Sequence, residues 1–215
     1  MEKLQRYKRQ IFEESPLMPE DFGIKNYTVN NDGSIDVKGH VKMNYKKLIK
    51  LPFKFNKVSG YFDCSDNKLA SLEGSPKEVG RYFDCGFNPT LTSLKGSPKE
   101  VGGAFKCSSS ILTSLKGSPQ KVGGYFYCSE NKLTSLEGSP QKVGGNFYCG
   151  YNKLTSLKGS PQKVSGNFYC NVSTLTSLKG APKEVGGDFK CGNNTKQFTV
   201  EDVEAVSKVK GIIIV

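Results

Sequence analysis

Val122-Gly-Gly-Tyr-Phe126-Tyr-Cys128-Ser-Glu-Asn131-Lys-Leu133-Thr-Ser-Leu136-Glu-Gly-Ser-Pro140 is one of seven near-copies of a single unit. The phenylalanines of the copies fall at Phe62, Phe83, Phe105, Phe126, Phe147, Phe168 and Phe189. They are 21 residues apart, with a single interval of 22 between Phe83 and Phe105. A fixed period of this size defines a solenoid, in which each unit buries its apolar side only against its neighbours. The functional question then becomes one about a surface.

Inside the unit, Phe and Cys alternate with polar or Tyr residues, the period of a short strand. Asn67, Asn88, Asn131, Asn152 and Asn194 stand three residues past their cysteines, where an amide can satisfy backbone groups at a corner. Ser110 and Ser173 break that ladder and predict looser corners, while the extra residue of the long interval lies in Asn88-Pro-Thr-Leu91. Gly-Ser-Pro bars a helix on the return side. The expected coil is thin, with strand on one face and extended or turn structure on the other.

Outside the clear copies, Leu4, Tyr7 and Ile11 predict a helix over residues 1 to 14, ended by Ser15-Pro16 and Met18-Pro19. Asp32-Gly33 signals a hairpin, with Ile35 and Val37 on the strand beyond it. Val41, Met43, Leu48 and Leu51 keep the offsets of Phe62, Cys64, Leu69 and Leu72, so a degenerate first copy precedes the seven. Terminal repeats are commonly atypical. After Cys191, Thr199-Val-Glu-Asp202 resembles a capping box, Val203, Val206 and Val209 predict a short helix, and Ile212-Ile-Ile-Val215 a final, paired strand. The expected architecture is mostly β: a solenoid of about eight coils, a parallel sheet on one face, and helical caps at both ends. Its divisions are a capping segment over 1–36, the solenoid over 37–194 and a cap of helix plus strand over 195–215.

An apolar fraction of 36% is low for a globule but suits a solenoid, whose core is one narrow strip. No run of about 18 apolar residues reads as a membrane span. The first ten residues lack a secretory apolar stretch, so a cytoplasmic protein is expected. The seven cysteines, Cys64, Cys85, Cys107, Cys128, Cys149, Cys170 and Cys191, each sit two residues past a Phe and share its face. They read as a ladder of small buried hydrophobes. Disulfides or a metal ladder are the alternatives, opposed by the odd number, the reducing context and the absence of Cys-x-x-Cys. His40 is the one histidine. Neither a metal nor a cofactor is expected.

The formal charge is +11. From Phe105 to Gly180 nine lysines face only Glu130 and Glu137. Such a balance favours an acidic partner, nucleic acid or an acidic or mixed protein surface. Most of these lysines recur at one turn position per coil, however, where they simply keep the solenoid soluble.

The unit Phe-x-Cys-x-x-Asn-x-Leu-Thr-Ser-Leu-x-Gly-Ser-Pro resembles the leucine-rich repeat, with Phe126, Cys128, Asn131 and Leu133 in matching places. It is similar to the short proline-containing repeats of bacterial secreted effectors, one residue longer. It looks closer still to leucine-rich-repeat-like proteins encoded by tailed bacteriophages. The resemblance covers roughly residues 37 to 194. It implies a protein that works by binding, in a host cytoplasm, to inhibit or redirect a host protein such as a defence enzyme or toxin. Phe and Cys in place of two leucines, and the Gly pair before the strand, depart from the family pattern.

Outward positions next to each Phe are free to vary and acquire aromatics. Tyr82 and Tyr125 precede a Phe; Lys106, Tyr127, Tyr148, Tyr169 and Lys190 follow one; Phe87 and Tyr151 lie two past a Cys. Tyrosine is typical of protein-binding surfaces, so these nine are the candidate partner-binding residues. A self-stacking tyrosine ladder that only stiffens the sheet is the competing account, but the column turns to Asp at one end and Lys at the other. Single-stranded nucleic acid is the alternative partner, since bases stack on tyrosines among lysines. Against it, Arg6, Arg9 and Arg81 are the only arginines. No nucleophile–base pair or phosphate-cradling motif points to an enzyme or a small-molecule substrate.

Overall fold

The structure, a computed structural model, describes residues 17–215; the helix expected over residues 1 to 14 lies outside the described residues. The chain is a mostly β, parallel solenoid of about nine turns with the 21-residue period. Every coil contributes two short strands rather than one, which corrects the expectation of a strand on one face only. One pair is Lys or Glu followed by Val, such as Lys121–Val122; the other begins with Phe, such as Phe126–Tyr127. Stacking builds a ten-stranded valine sheet and a nine-stranded phenylalanine sheet. A two-residue Lys-Val segment carries too little alternation to reveal a strand by itself. Its order comes from the identical segments above and below.

The glycine pair turns the corner between the two sheets. A Cβ on Gly102, Gly123 or Gly144 would overlap the carbonyl oxygen of the glycine one coil earlier. The stacked corners leave little room for a side chain there, and in the seven copies only the small Ser59 and Ser165 replace glycine at this position, with Ser165 keeping the inter-coil bond to the Val143 carbonyl at 3.0 Å. On the return side, Gly74, Gly96, Gly117, Gly138, Gly159 and Gly180 all have φ between +86° and +95°, a conformation that in practice only glycine adopts.

At the N-terminal end, β1 (Tyr27–Val29) pairs antiparallel with β2 (Ile35–Val37) around Gly33, as Asp32-Gly33 predicts. From β2 onward the valine sheet is parallel. The phenylalanine sheet starts at β3 (Val41–Lys42), with Val41 beside Phe62, as the degenerate copy predicts. At the other end, helix α1 (Val200–Glu204) is capped by Thr199, whose side chain accepts from the Asp202 N–H. The helix stops short of Val206 and Val209, which were expected in it, because Val209 is drawn into the valine sheet; two strands rather than one follow and place Val209 beside Val185 and Ile213 beside Phe189. The segment after Cys191 therefore adds a turn, making nine rather than eight. Val and Ile keep the register although Phe and Cys are gone.

Four ladders hold coil to coil. The rings from Phe62 to Phe189 are fully buried and stack with centroids 5.1–5.5 Å apart. The cysteines are buried and free, and from Cys64 to Cys149 each Sγ donates to a carbonyl of the next coil at 3.3–3.4 Å. Burial holds these thiols well above their ordinary range. Ser97, Ser118, Ser139 and Ser160 donate to the glycine carbonyl one coil on. The asparagines do most. Asn131 Nδ2 donates to the Cys107, Cys128 and Ser129 carbonyls, and its Oδ1 accepts from the Leu112 N–H.

Ser110 is not the loose corner expected. Leu91, whose N–H would meet an asparagine at 110, donates instead to the Asn88 carbonyl at 2.9 Å across the extra residue. The insertion and the serine compensate each other. The exposed charges of the valine sheet pair across coils, Lys57–Glu78, Lys121–Glu100 and Lys163–Glu184, which fits a solubilising role for these lysines.

Asn131→Ala would strand a buried N–H and several carbonyls, each worth about 1–3 kcal/mol when unsatisfied. Urea denaturation should show a loss of about 3 kcal/mol, and the partly exposed Asn194→Ala should cost less.

Candidate binding face

The phenylalanine sheet presents three outward columns. One precedes each Phe, one follows it, and one lies two residues past each Cys. All nine nominated residues fall on these columns, but they divide into two groups.

The first group is locked into the structure. Tyr127, Tyr148 and Tyr169 are half-buried and stack face to face, at 3.9 Å and 4.7 Å between centroids. Asn146 Nδ2 donates to the Tyr148 hydroxyl at 2.7 Å, and Asn167 Nδ2 to the Tyr169 hydroxyl at 2.6 Å. Burial, with the neighbouring Tyr148 hydroxyl, pushes the Tyr127 phenol up to about 12. A second stack runs His40, Tyr61, Tyr82 at 4.1 Å and 4.6 Å. Lys106 ends it, with Nζ 5.1 Å from the Tyr82 centroid and 3.3 Å from Asp84 Oδ2. Within these ladders the ring faces cover one another, so a partner meets edges and hydroxyls. Base stacking needs faces.

The second group is free. Phe87 and Tyr151 are each 56% exposed, Tyr125 50% and Tyr45, not foreseen as a site residue, 72%. Tyr125 lies over the backbone of Gly145, where a Cβ would come within 2.5 Å of its ring. Tyr45, Phe87 and Tyr151 occupy one column, since Met43 takes the place of a cysteine and Tyr45 lies two beyond it. That alignment was available in the sequence. Lys190 follows Phe189 in the strand and is half-buried.

The backbone of this column was not legible. Tyr45, Asp66, Phe87, Ser109, Glu130, Tyr151, Val172 and Asn193 all have φ between +53° and +57°. The left-handed region disfavours side chains by about 1–2 kcal/mol, with Asn, Asp and Gly least affected. Every coil needs the conformation, yet only Asp66 and Asn193 belong to the tolerant types. Phe, Tyr, Glu and Val at the others are a choice of side chain made against stability.

The column after Phe also contains an expensive charge. Asp63 and Asp84 are in register on neighbouring strands. Burial raises the Asp84 carboxyl above its usual range and Asp63 adds to the rise; the Gly86 N–H and Lys106 oppose it. Among the described residues, no three His, Cys, Asp or Glu side chains could hold a metal ion together, and no helix is long and apolar enough to cross a membrane. A groove of about 780 Å³ lies elsewhere, on the valine sheet beside β1, lined by Tyr27, Asp36, Lys57 and Val79 among others.

Compared with protein-family models, curated proteins and solved structures, the chain matches none.

Two stability measurements test this account. Phe87→Asn and Tyr151→Asn, by supplying residues that tolerate the left-handed region, should each raise stability by about 1 kcal/mol in urea denaturation. Asp84 has a folded pKa above its unfolded one, so its ionisation opposes folding and stability falls as pH rises through that interval. Asp84→Asn should therefore raise the melting temperature at pH 7, and the gain should vanish towards pH 3.

Proposed function

We propose that this chain is a non-catalytic binding protein whose phenylalanine-sheet face grips another protein. The observation that carries this reading is the left-handed column. Its exposed aromatics, Phe87, Tyr151 and Tyr45, cost stability where asparagine or glycine would not. Large exposed aromatics dominate the energetics of many protein interfaces. The ladder tyrosines serve as a stiff floor that holds the protruding rings in place, with Tyr125 beside them. Lys106 is committed to Asp84 and Tyr82 and sets the shape of the floor more than it reaches a partner.

The coils are of the leucine-rich-repeat-like kind, on the strength of the repeat unit. The likeness to phage-encoded repeat proteins extends the proposal to a protein of the host cytoplasm, a defence enzyme or toxin, that binding inhibits or redirects. Nucleic acid is the weaker reading, because the stacked rings of the face leave few flat surfaces for bases and its lysines are few.

Quantitative capture from a bacterial lysate tests the proposal. A protein enriched on the wild-type chain should be lost from the Phe87→Asn/Tyr151→Asn double variant, which keeps or gains stability. Two hot-spot aromatics at about 2 kcal/mol each predict a weakening near a thousandfold. Retention of the same protein by that variant, with loss on Lys121→Gln/Lys142→Gln instead, would place the contact on the valine sheet and sink the proposal.

A further inference from the structure

We infer that the partner segment docked on the phenylalanine-sheet face is positively charged as well as apolar, although the chain itself is strongly cationic; this rests on the binding role proposed above. The two signs are unevenly distributed. The whole chain has 31 Lys and Arg against 20 Asp and Glu. The face, from the residue before each Phe to the left-handed residue, inverts this. It holds Asp63, Asp66, Asp84, Glu130 and Asp188 against Lys42, Lys106 and Lys190. Elsewhere lysine is the commoner choice at exposed columns, as before each Gly-Ser-Pro or Gly-Ala-Pro, where Lys95, Lys116, Lys158 and Lys179 stand against Glu73 and Glu137. If solubility alone set the composition, the face would follow the same habit.

The carboxylates are also placed where they are costly. Asp63 and Asp84 oppose each other in register, and like charges directly opposite destabilise a sheet. The Tyr45 phenol is held above its ordinary range by the carboxylates of Asp66, Asp63 and Asp84, a sign of a negative field at this corner. A basic partner would relieve that repulsion and an acidic one would add to it.

One of the face's three lysines shows how a cation is held there. Lys106 Nζ lies 3.3 Å from Asp84 Oδ2 and 5.1 Å from the Tyr82 ring centroid, a carboxylate and an aromatic ring gripping one cation. Asp63 and Asp66, with Tyr45 and Phe87 on either side, offer the same two chemistries within the next coils. At a coil spacing of about 4.8 Å, Tyr45, Phe87 and Tyr151 stand roughly 10 Å and 14 Å apart along the axis. An extended segment of about seven residues would span all three. Its apolar side chains would meet the rings and its Lys or Arg side chains the carboxylates between them.

The test uses the full chain, isotope-labelled for amide NMR at low salt, and two twelve-residue probe peptides. One alternates Leu with Arg; the other alternates Leu with Glu. The Leu-Arg peptide should shift the amides of Asp63, Asp66 and Phe87 in a saturable way. Asp63→Asn/Asp66→Asn, which keeps the acceptor that Ser65 uses, should weaken it at least tenfold. The Leu-Glu peptide should shift only the lysine columns of the other faces. If the Leu-Glu peptide takes the face instead, the charge inference falls and the binding face stands. If both peptides shift only residues outside the face, the binding role falls with it. A face silent to both at millimolar concentration overturns the inference too.

Discussion

Each residue of the solenoid lies about 4.8 Å from its own counterpart in the coil above and the coil below. Everything else follows from that constraint, because a side chain can recur only if it is compatible with copies of itself. Phenylalanine qualifies by stacking. Asparagine, cysteine and serine qualify because each donates to, or accepts from, a backbone group of an adjacent coil. Charge qualifies only where water screens it: in the exposed valine sheet it recurs partly as neighbours of opposite sign, as in Lys57–Glu78, Lys121–Glu100 and Lys163–Glu184, and partly as like neighbours, as in Glu78 beside Glu100 and Lys142 beside Lys163. Buried polar groups are costly unless satisfied, so the ladders turn what would be seven separate liabilities into one repeated solution.

Self-compatibility also explains the irregular coils. The longer interval between Phe83 and Phe105 and the serine at 110 would each be a fault alone. Together they close one corner, as the Leu91 N–H finds the Asn88 carbonyl. The last turn shows the same tolerance from another direction. Val209 and Ile213 share no motif with the repeat beyond apolarity, and the last turn is longer than 21 residues, yet they sit in register on Val185 and Phe189. What the solenoid requires of a coil is its apolar positions; the named motif is one way to supply them, and the extra length is taken up between the strands.

The period, the buried Phe, Cys and Leu positions and the hairpin at Gly33 were legible because they are matters of spacing and residue type. The paired strand at Ile213–Ile214 was legible too, from its run of β-branched residues, but the valine sheet was not, nor was the Lys208–Val209 strand that makes the last segment a full ninth turn. Lys121–Val122 and Lys208–Val209 have no strand signal of their own; both are ordered by neighbours. That the nominated residues share the outward side of the phenylalanine sheet was legible, since alternation decides which side of a strand a residue takes. Their division into locked and free was hidden. It depends on whether Tyr148 leans onto Tyr127 and Asn146, which is a property of the stack and not of the unit. The left-handed column was hidden for a different reason. The residues that announce such a backbone are mostly missing from it.

That omission is the most informative feature of the surface. In one column of positive φ the chain is uniform, Gly74 through Gly180, as stability demands. In the other it varies from coil to coil and accepts Phe, Tyr, Glu and Val at a cost. Repeats that derive from one unit drift apart where nothing constrains them, but drift alone would more often visit asparagine and glycine than aromatics that strain the backbone. Asp84 makes the same point with charge: a carboxylate short of water, beside another carboxylate, persists on the same face. A scaffold selected only to fold would remove both. Their joint presence on the face that the tyrosine ladders stiffen is the ground on which the proposed binding role rests.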